Sequence, residues 1–220
     1  MRRPLKYFPC KMPAFRGTLR VLILNGSLKH GSEKSNTQAL VEIVLRFMRT
    51  HAKIKVESIR LSDRHIEVGL GFKESEQDKW PEIAKKIRGS DIILFATPIW
   101  WGNRSSLMQR VIERLDAFDE ERMKEGRSSL YNKVAGIVIT GSEDGAQQTM
   151  GSLMEVLSWM GFTLPPECAA YWVGEVGQNP ANDKKKMLKN AAAKYMAKTL
   201  ARNMAYYAKL LKVYPLEPRK

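Results

Sequence analysis

Short aliphatic runs alternate with amphipathic segments along almost the whole chain, and this alternation restricts the fold more than any other feature. LRVLILN (19–25), SDIILFATP (90–98) and KVAGIVIT (133–140) are short and almost uninterruptedly apolar, the pattern of strands covered on both faces. Between them, residues 35–50 place Leu40, Ile43, Val44 and Phe47 at helical spacing. PEIAKKIRG (81–89) reads as a short helix with Pro81 at its first position, and 105–118 and 146–160 read as two more. KIKVESIRL (53–61) alternates like a more exposed strand, and 62–80 is polar and irregular. FTLPPECAAYWVG (162–174) suits a sheet edge, because Pro165 and Pro166 would interrupt a central ladder. Asn179 and Pro180 then form an N-cap and first position for a single long helix over 180–212, striped by Leu188, Ala192, Met196, Leu200, Met204, Tyr207 and Leu211. The β-α order implies an α/β fold: a parallel sheet with right-handed crossovers and helices on both faces.

A chain of 220 residues with 44% hydrophobic content suffices for one large core, and no apolar run approaches the ~20 residues of a membrane span. The basic N-terminus lacks the apolar region of a secretory signal, and two cysteines, Cys10 and Cys168, make neither a disulfide framework nor a four-ligand metal site. A cytoplasmic location is the expectation. The net charge of +14 invites a nucleic-acid partner, but it is concentrated at the ends. Residues 1–20 contribute six cations and no acid, and 181–220 contribute eleven against Asp183 and Glu217. The ends therefore sum to +15 and the body to −1, so nucleic acid is disfavoured. The expected organisation is a basic N-terminal arm (1–18), one domain (19–212) and a tail (213–220).

In an open parallel sheet ligands bind beyond the carboxyl ends of the strands. Three loops leave such ends here: NGSLKHGSEKSNT (25–37), TPIWWGNRSS (97–106) and TGSEDGAQQ (140–148). Ser27, Ser35, Asn36 and Thr37, with Lys29 nearby, offer donors at a helix N-terminus and suit a phosphate. Trp100 and Trp101 follow a strand between Pro98 and Gly102; one is expected to pack inward and the other to wall the crevice against a ring. Gly141 and Gly145 allow close approach, and Glu143 and Asp144 suit a helix start.

Sharper motifs fail. Gly26 and Gly31 give GxxxxG, but Ser32-Glu33 stands where a P-loop has its lysine and hydroxyl. Gly69-Leu70-Gly71 starts a GxGxxG with Glu74 at the third glycine. Cys10 to Arg16 has phosphatase spacing but precedes the first strand and has no glycine between them.

Together, NGSLKHGSEKSNTQAL, DIILFATPIWWGNRSSLMQRVIERLD and VITGSEDGAQQTM resemble the flavodoxin-like NAD(P)H-dependent FMN reductase family, over residues 19–175. That family includes quinone, azo-dye and chromate reductases and iron–sulfur flavoproteins. The resemblance implies a flavodoxin-like five-stranded parallel sheet, with the basic arm and long C-terminal helix as additions. It implies FMN as cofactor, NAD(P)H as co-substrate and a small-molecule electron acceptor. The helix over 180–212 is longer than covering the sheet requires, so its distal half is expected to pack on a partner subunit in a homodimer or homotetramer. By the resemblance, Ser27, Lys29, Ser35, Asn36 and Thr37 would hold the FMN phosphate. Pro98, Ile99, Trp100, Trp101, Gly102 and Asn103 would border the isoalloxazine and ribityl chain. Thr140, Gly141, Ser142, Glu143, Asp144 and Gly145 would close the other side. Residues 65–80 hold no cysteine, so no cluster is expected there, and no catalytic side chain is nominated. Lys29, His30, Lys34 and Arg104 are expected to flank the site and favour a reductase over a one-electron carrier, the alternative reading.

Overall fold

The computed structural model describes residues 15–33 and 35–217. Most of the basic arm (1–14, with Cys10), Lys34 and residues 218–220 lie outside the described residues. The strands are β1 (Leu19–Asn25), β2 (Ile54–Arg60), β3 (Ile92–Trp100), β4 (Asn103–Arg104), β5 (Val134–Gly141) and β6 (Ala169–Val173). The helices are α1 (Asn36–His51), α2 (Trp80–Gly89), α3 (Ser106–Arg114), α4 (Asp116–Glu125), α5 (Ala146–Trp159), α6 (Pro180–Lys189) and α7 (Ala191–Val213). Five strands pair in parallel in the order β2-β1-β3-β5-β6, and the two-residue β4 folds back antiparallel on β3. This is the expected five-stranded parallel sheet with helices on both faces.

The period-two alternation of each central strand feeds two cores. Leu22, Leu24, Ile93, Phe95, Ile137 and Ile139 face Trp80, Ile83, Ile87, Val111 and Leu153 of α2, α3 and α5. Val21, Ile23, Leu94, Ala96 and Val138 face Leu40, Val44 and Met48 of α1 and Leu200 and Met204 of α7. α7 lies so close to β5 that a Cβ at Gly136 would run into the Met204 thioether, which would have to move aside.

Several boundaries depart from expectation. The helix over 180–212 is two helices, broken at Asn190, whose side chain accepts the Ala193 N–H at 2.8 Å while its own backbone is extended (φ −68°, ψ 125°). An asparagine at a helix interior position competes for backbone partners, and here it caps the second helix instead. The apolar stripe of α7 is buried against its own sheet as far as Leu211, so helix length gives no reason to expect a partner subunit on that face. Likewise 105–118 divides at Leu115 into α3 and α4. The tail folds back: Asn132 Nδ2 donates to the Leu216 carbonyl at 3.1 Å and the Leu216 N–H donates to Asn132 Oδ1 at 2.6 Å.

Candidate active site at the carboxyl ends of the strands

β1, β3 and β5 all end on the same side of the sheet, and the loops leaving them enclose a cleft of about 380 Å³. At one end stands the first turn of α1. Ser35 caps it, its Oγ accepting the Gln38 N–H at 3.4 Å, which leaves earlier N–H groups of that turn without intrahelical partners. Ser27 is pinned through its own N–H, donated to Asn25 Oδ1 at 3.0 Å, and Asn25 in turn donates to Gln38 Oε1 at 2.9 Å. The Lys29 carbonyl accepts from Ser62 Oγ at 2.6 Å and from the Arg60 guanidinium at 3.2 Å, so the β1 loop is tied to the end of β2.

The other wall is the β3–β4 hairpin. β3 runs on through Pro98 and Ile99 to Trp100, so these residues belong to a strand and not to a loop. Trp101 takes a left-handed conformation (φ 48°) and Gly102 follows it (φ 77°). The Trp101 N–H donates to Glu143 Oε1 at 2.6 Å, joining the hairpin to the β5–α5 loop. Gly145 (φ 120°) touches the hairpin so closely that a Cβ there would lie 2.6 Å from Gly102 Cα. Trp100 is 50% exposed and Trp101 88% exposed, and both line the cleft. The expectation that one would pack inward is corrected: the tight two-residue turn carries both rings past the end of the sheet.

Ser27, Lys29, Ser35, Asn36, Thr37, Pro98, Ile99, Trp100, Trp101, Thr140, Gly141, Ser142 and Glu143 therefore converge on one cleft. Gly102, Asn103, Asp144 and Gly145 do not line it; Asn103 pairs with Trp100 in the hairpin. Sequence reasoning missed Glu175, Gln178, Pro180 and Asp183, which close the cleft from the loop after β6 and the start of α6. Asp183 is buried, accepting from Trp172 Nε1 at 2.8 Å and Asn36 Nδ2 at 2.7 Å. The rule that pointed to the other three loops applies equally to the carboxyl end of β6.

The expected basic surround is also corrected. His30 faces Asp63 at 3.8 Å, and Arg104 donates to Gln109 at 2.6 Å and Ser152 at 3.0 Å; neither lines the cleft. Among the described residues the lining holds Lys29 against Glu143, Glu175 and Asp183.

Residues 19–175 match the family model for NADPH-dependent FMN reductases, well over half of the chain. The chain belongs to that family. FMN and a nicotinamide nucleotide are accordingly its cofactor pair, and its fold is flavodoxin-like. It is 31% identical, over 90% of its length and 80% of the relative's, to 8-demethyl-8-aminoriboflavin-5'-phosphate synthase from Streptomyces davaonensis. It also resembles a crystal structure of RosB with a bound intermediate, 8-demethyl-8-formylriboflavin-5'-phosphate (TM-score 0.78, 29% identity, 90% of this chain and 82% of that one). A third similarity, 35% identity over 77% of this chain, is to a protein described as the divalent metal cation transporter MntH of Mycobacterium bovis, of which the chain spans only 25%. No helix among the described residues is long and apolar enough to cross a membrane.

The lining fits a flavin mononucleotide in its chemistry. Hydroxyls and a capped helix N-terminus suit a phosphate, and exposed indoles suit a flat ring. A buried acceptor, Gln178 Oε1, has no hydrogen-bond partner in the protein and lies in a residue lining the same cleft.

Proposed function

We propose that this protein is an FMN-dependent NAD(P)H oxidoreductase delivering electrons to a quinone or a similar small acceptor. What carries the reading is the convergence of the α1 N-terminus and two exposed tryptophans on one cleft, in a chain of the FMN reductase family. Ser27, Ser35, Asn36 and Thr37, with the first N–H groups of α1, would hold the phosphate mainly through neutral dipoles. Lys29 adds one positive charge beside it. Pro98, Ile99, Trp100 and Trp101 would border the ring from the β3 side, and Thr140, Gly141, Ser142 and Glu143 from the β5 side. When bound, FMN supplies the redox chemistry, taking up hydride equivalents from a nicotinamide and releasing them to an acceptor. The protein's part is binding, orientation and exclusion of water, so no general acid or base is assigned. The test is turnover of NADPH or NADH by FMN-loaded protein with a quinone present. Rates no higher than free FMN gives would refute the reading.

A second reading is favoured by the extent of the similarity to the synthase. The family model stops at residue 175, whereas an alignment over 90% of the chain must include α6, which supplies Pro180 and Asp183 to the cleft. On this reading the flavin phosphate is itself the substrate. Mass spectrometry of flavin recovered after incubation with and without an amino donor separates the two: an altered ring mass supports modification, and unaltered FMN with sustained NAD(P)H oxidation supports reduction.

A further inference from the structure

At the opposite, amino ends of β1, β3 and β5 lies a second cavity, of about 300 Å³. Arg20, Ser90, Asp91, Lys133 and Lys212 give it a charged wall, and Tyr131, Leu211 and Pro215 line the remainder. It is built from the fold's own connections. The Arg20 N–H donates to Asp91 Oδ2 at 2.8 Å, the Asp91 N–H donates to the Arg20 carbonyl at 2.9 Å, and the Val134 N–H donates to the Asp91 carbonyl at 3.0 Å. The paired bonds between Asn132 and Leu216 hold the chain around Pro215 over one side.

Charge in this cavity is unbalanced. Arg20, Lys133 and Lys212 contribute three positive charges and Asp91 one negative charge, a sum of +2. Asp91 is already shared: its Oδ1 lies 2.8 Å from Lys212 Nζ and 3.7 Å from the Arg20 guanidinium. Lys133 is buried, and its Nζ donates to the carbonyls of Arg88 at 2.6 Å and Ser90 at 2.9 Å. An ammonium has three N–H donors, so this arrangement leaves a third for another acceptor. Burial pulls the Lys133 ammonium down to about 8; Asp91 opposes that fall, while Arg20, Lys212 and Arg88 add to it. Burial is the largest of these effects, and an anion in the cavity would offset its cost.

We propose that this cavity is an anion site for the phosphate group of a small phosphate monoester, held between Lys133, Arg20 and Lys212. A phosphate dianion matches the excess charge, and Asp91, which would repel it, is occupied by its own cations. The volume is several times that of a water molecule, whose share of the liquid is about 30 Å³. It therefore has room for a short carbon appendage beside Leu211, Pro215 and Tyr131. The site is separate from the flavin cleft and does not rest on its assignment.

Isothermal titration of the full chain loaded with FMN, so that its phosphate loop is filled, tests this. Inorganic phosphate and glycerol 3-phosphate are the two probes. The expected result is one site per chain that binds glycerol 3-phosphate more tightly than phosphate, and more tightly at pH 7 than at pH 9.5, where Lys133 has lost its proton. Lys212→Gln and Arg20→Gln, each leaving Asp91 one side-chain cation, should weaken binding about tenfold, as loss of a charge-assisted bond does. Ser27→Ala should leave it unchanged. Equal binding of the two probes would assign the site to free phosphate. Absence of saturable binding, or binding indifferent to both substitutions in variants that melt like the parent, would overturn the proposal. If the chain retains no FMN, the same titration on the apo protein still decides it, because the Gln and Ala variants report on different ends of the sheet.

Discussion

Thr37 Oγ1 lies 2.7 Å from Thr140 Oγ1, a buried pair that ties the first turn of α1 to the end of β5. Both residues line the cleft. One hydroxyl hydrogen is used between them, and the other remains to be donated elsewhere. Replacing Ser27 and Thr37 together by Ala should weaken FMN binding by about 1–3 kcal/mol, because donors are lost and Thr140 is left without its partner. Fluorescence titration measures this directly. Unchanged affinity in the double variant would remove this end of the cleft from the phosphate site.

Trp101 should matter to ligand and not to fold. At 88% exposed it contributes little to the core. Trp101→Ala should change unfolding free energy by less than about 0.5 kcal/mol, while flavin affinity falls by ~1 kcal/mol from lost stacking. Denaturant unfolding of the apo protein beside a flavin titration separates the two effects. A large stability loss with unaltered affinity would place the ring in the packing instead.

How much of this site was legible in the sequence differs from residue to residue. The hydroxyl-rich loop and the twin tryptophans stood out because such residues have no place at the end of an apolar strand. Their exposure could not be read from periodicity, since a two-residue hairpin with left-handed backbone at Trp101 suspends strand alternation. Asp183 carried no local signal: it sits in a lysine-rich helix start and becomes part of the cleft only because α6 meets Asn36 and Trp172. Asn190 was hidden within an apolar stripe continuous on both sides of it, and only its cap to Ala193 reveals the break. His30 and Arg104 were placed at the site by their position in its loops, which says nothing about which way a side chain turns; each finds a partner outside the cleft.

A buried ion pair holds the irregular stretch before α2. Arg114 NH2 and Asp78 Oδ2 are 2.8 Å apart with both side chains fully buried. Burial pushes the Asp78 carboxyl up, but the Trp80 N–H, the Arg114 guanidinium and the Glu74 and Glu67 N–H groups outweigh it and hold the carboxyl below its usual range. Asp78→Ala should cost about 3–5 kcal/mol by leaving Arg114 unpaired. The stability that Asp78 confers should be present above the ordinary carboxylate range and be lost as pH falls through the depressed folded value. Urea denaturation against pH reads both; a variant within 1 kcal/mol of the parent, estimated against that ~3–5 kcal/mol cost, would contradict the account.

Lys133 predicts a dependence of the same sign, in a window at high pH. Below about 8 it is charged in folded and unfolded chains alike, and the cost of burying the charge is fully present. Between about 8 and the ordinary 10.5 the unfolded chain binds the proton and the folded chain does not, so stability rises with pH. The parent should therefore gain on Lys133→Met across that window in phosphate-free buffer. A difference between them that stays flat would show that the amine is not buried as described.

Anaerobic stopped-flow absorbance of the FMN-loaded protein tests most directly whether the cleft holds FMN for reduction by a nicotinamide. NADPH or NADH should bleach the flavin band in a single two-electron phase, and a quinone added afterwards should restore the yellow colour. The lining of Glu143, Glu175 and Asp183 against Lys29 offers no electrostatic preference for the extra phosphate of NADPH, so either donor satisfies the account. Flavin that remains oxidised with both nucleotides, yet is reduced by dithionite and reoxidised by quinone, would contradict it.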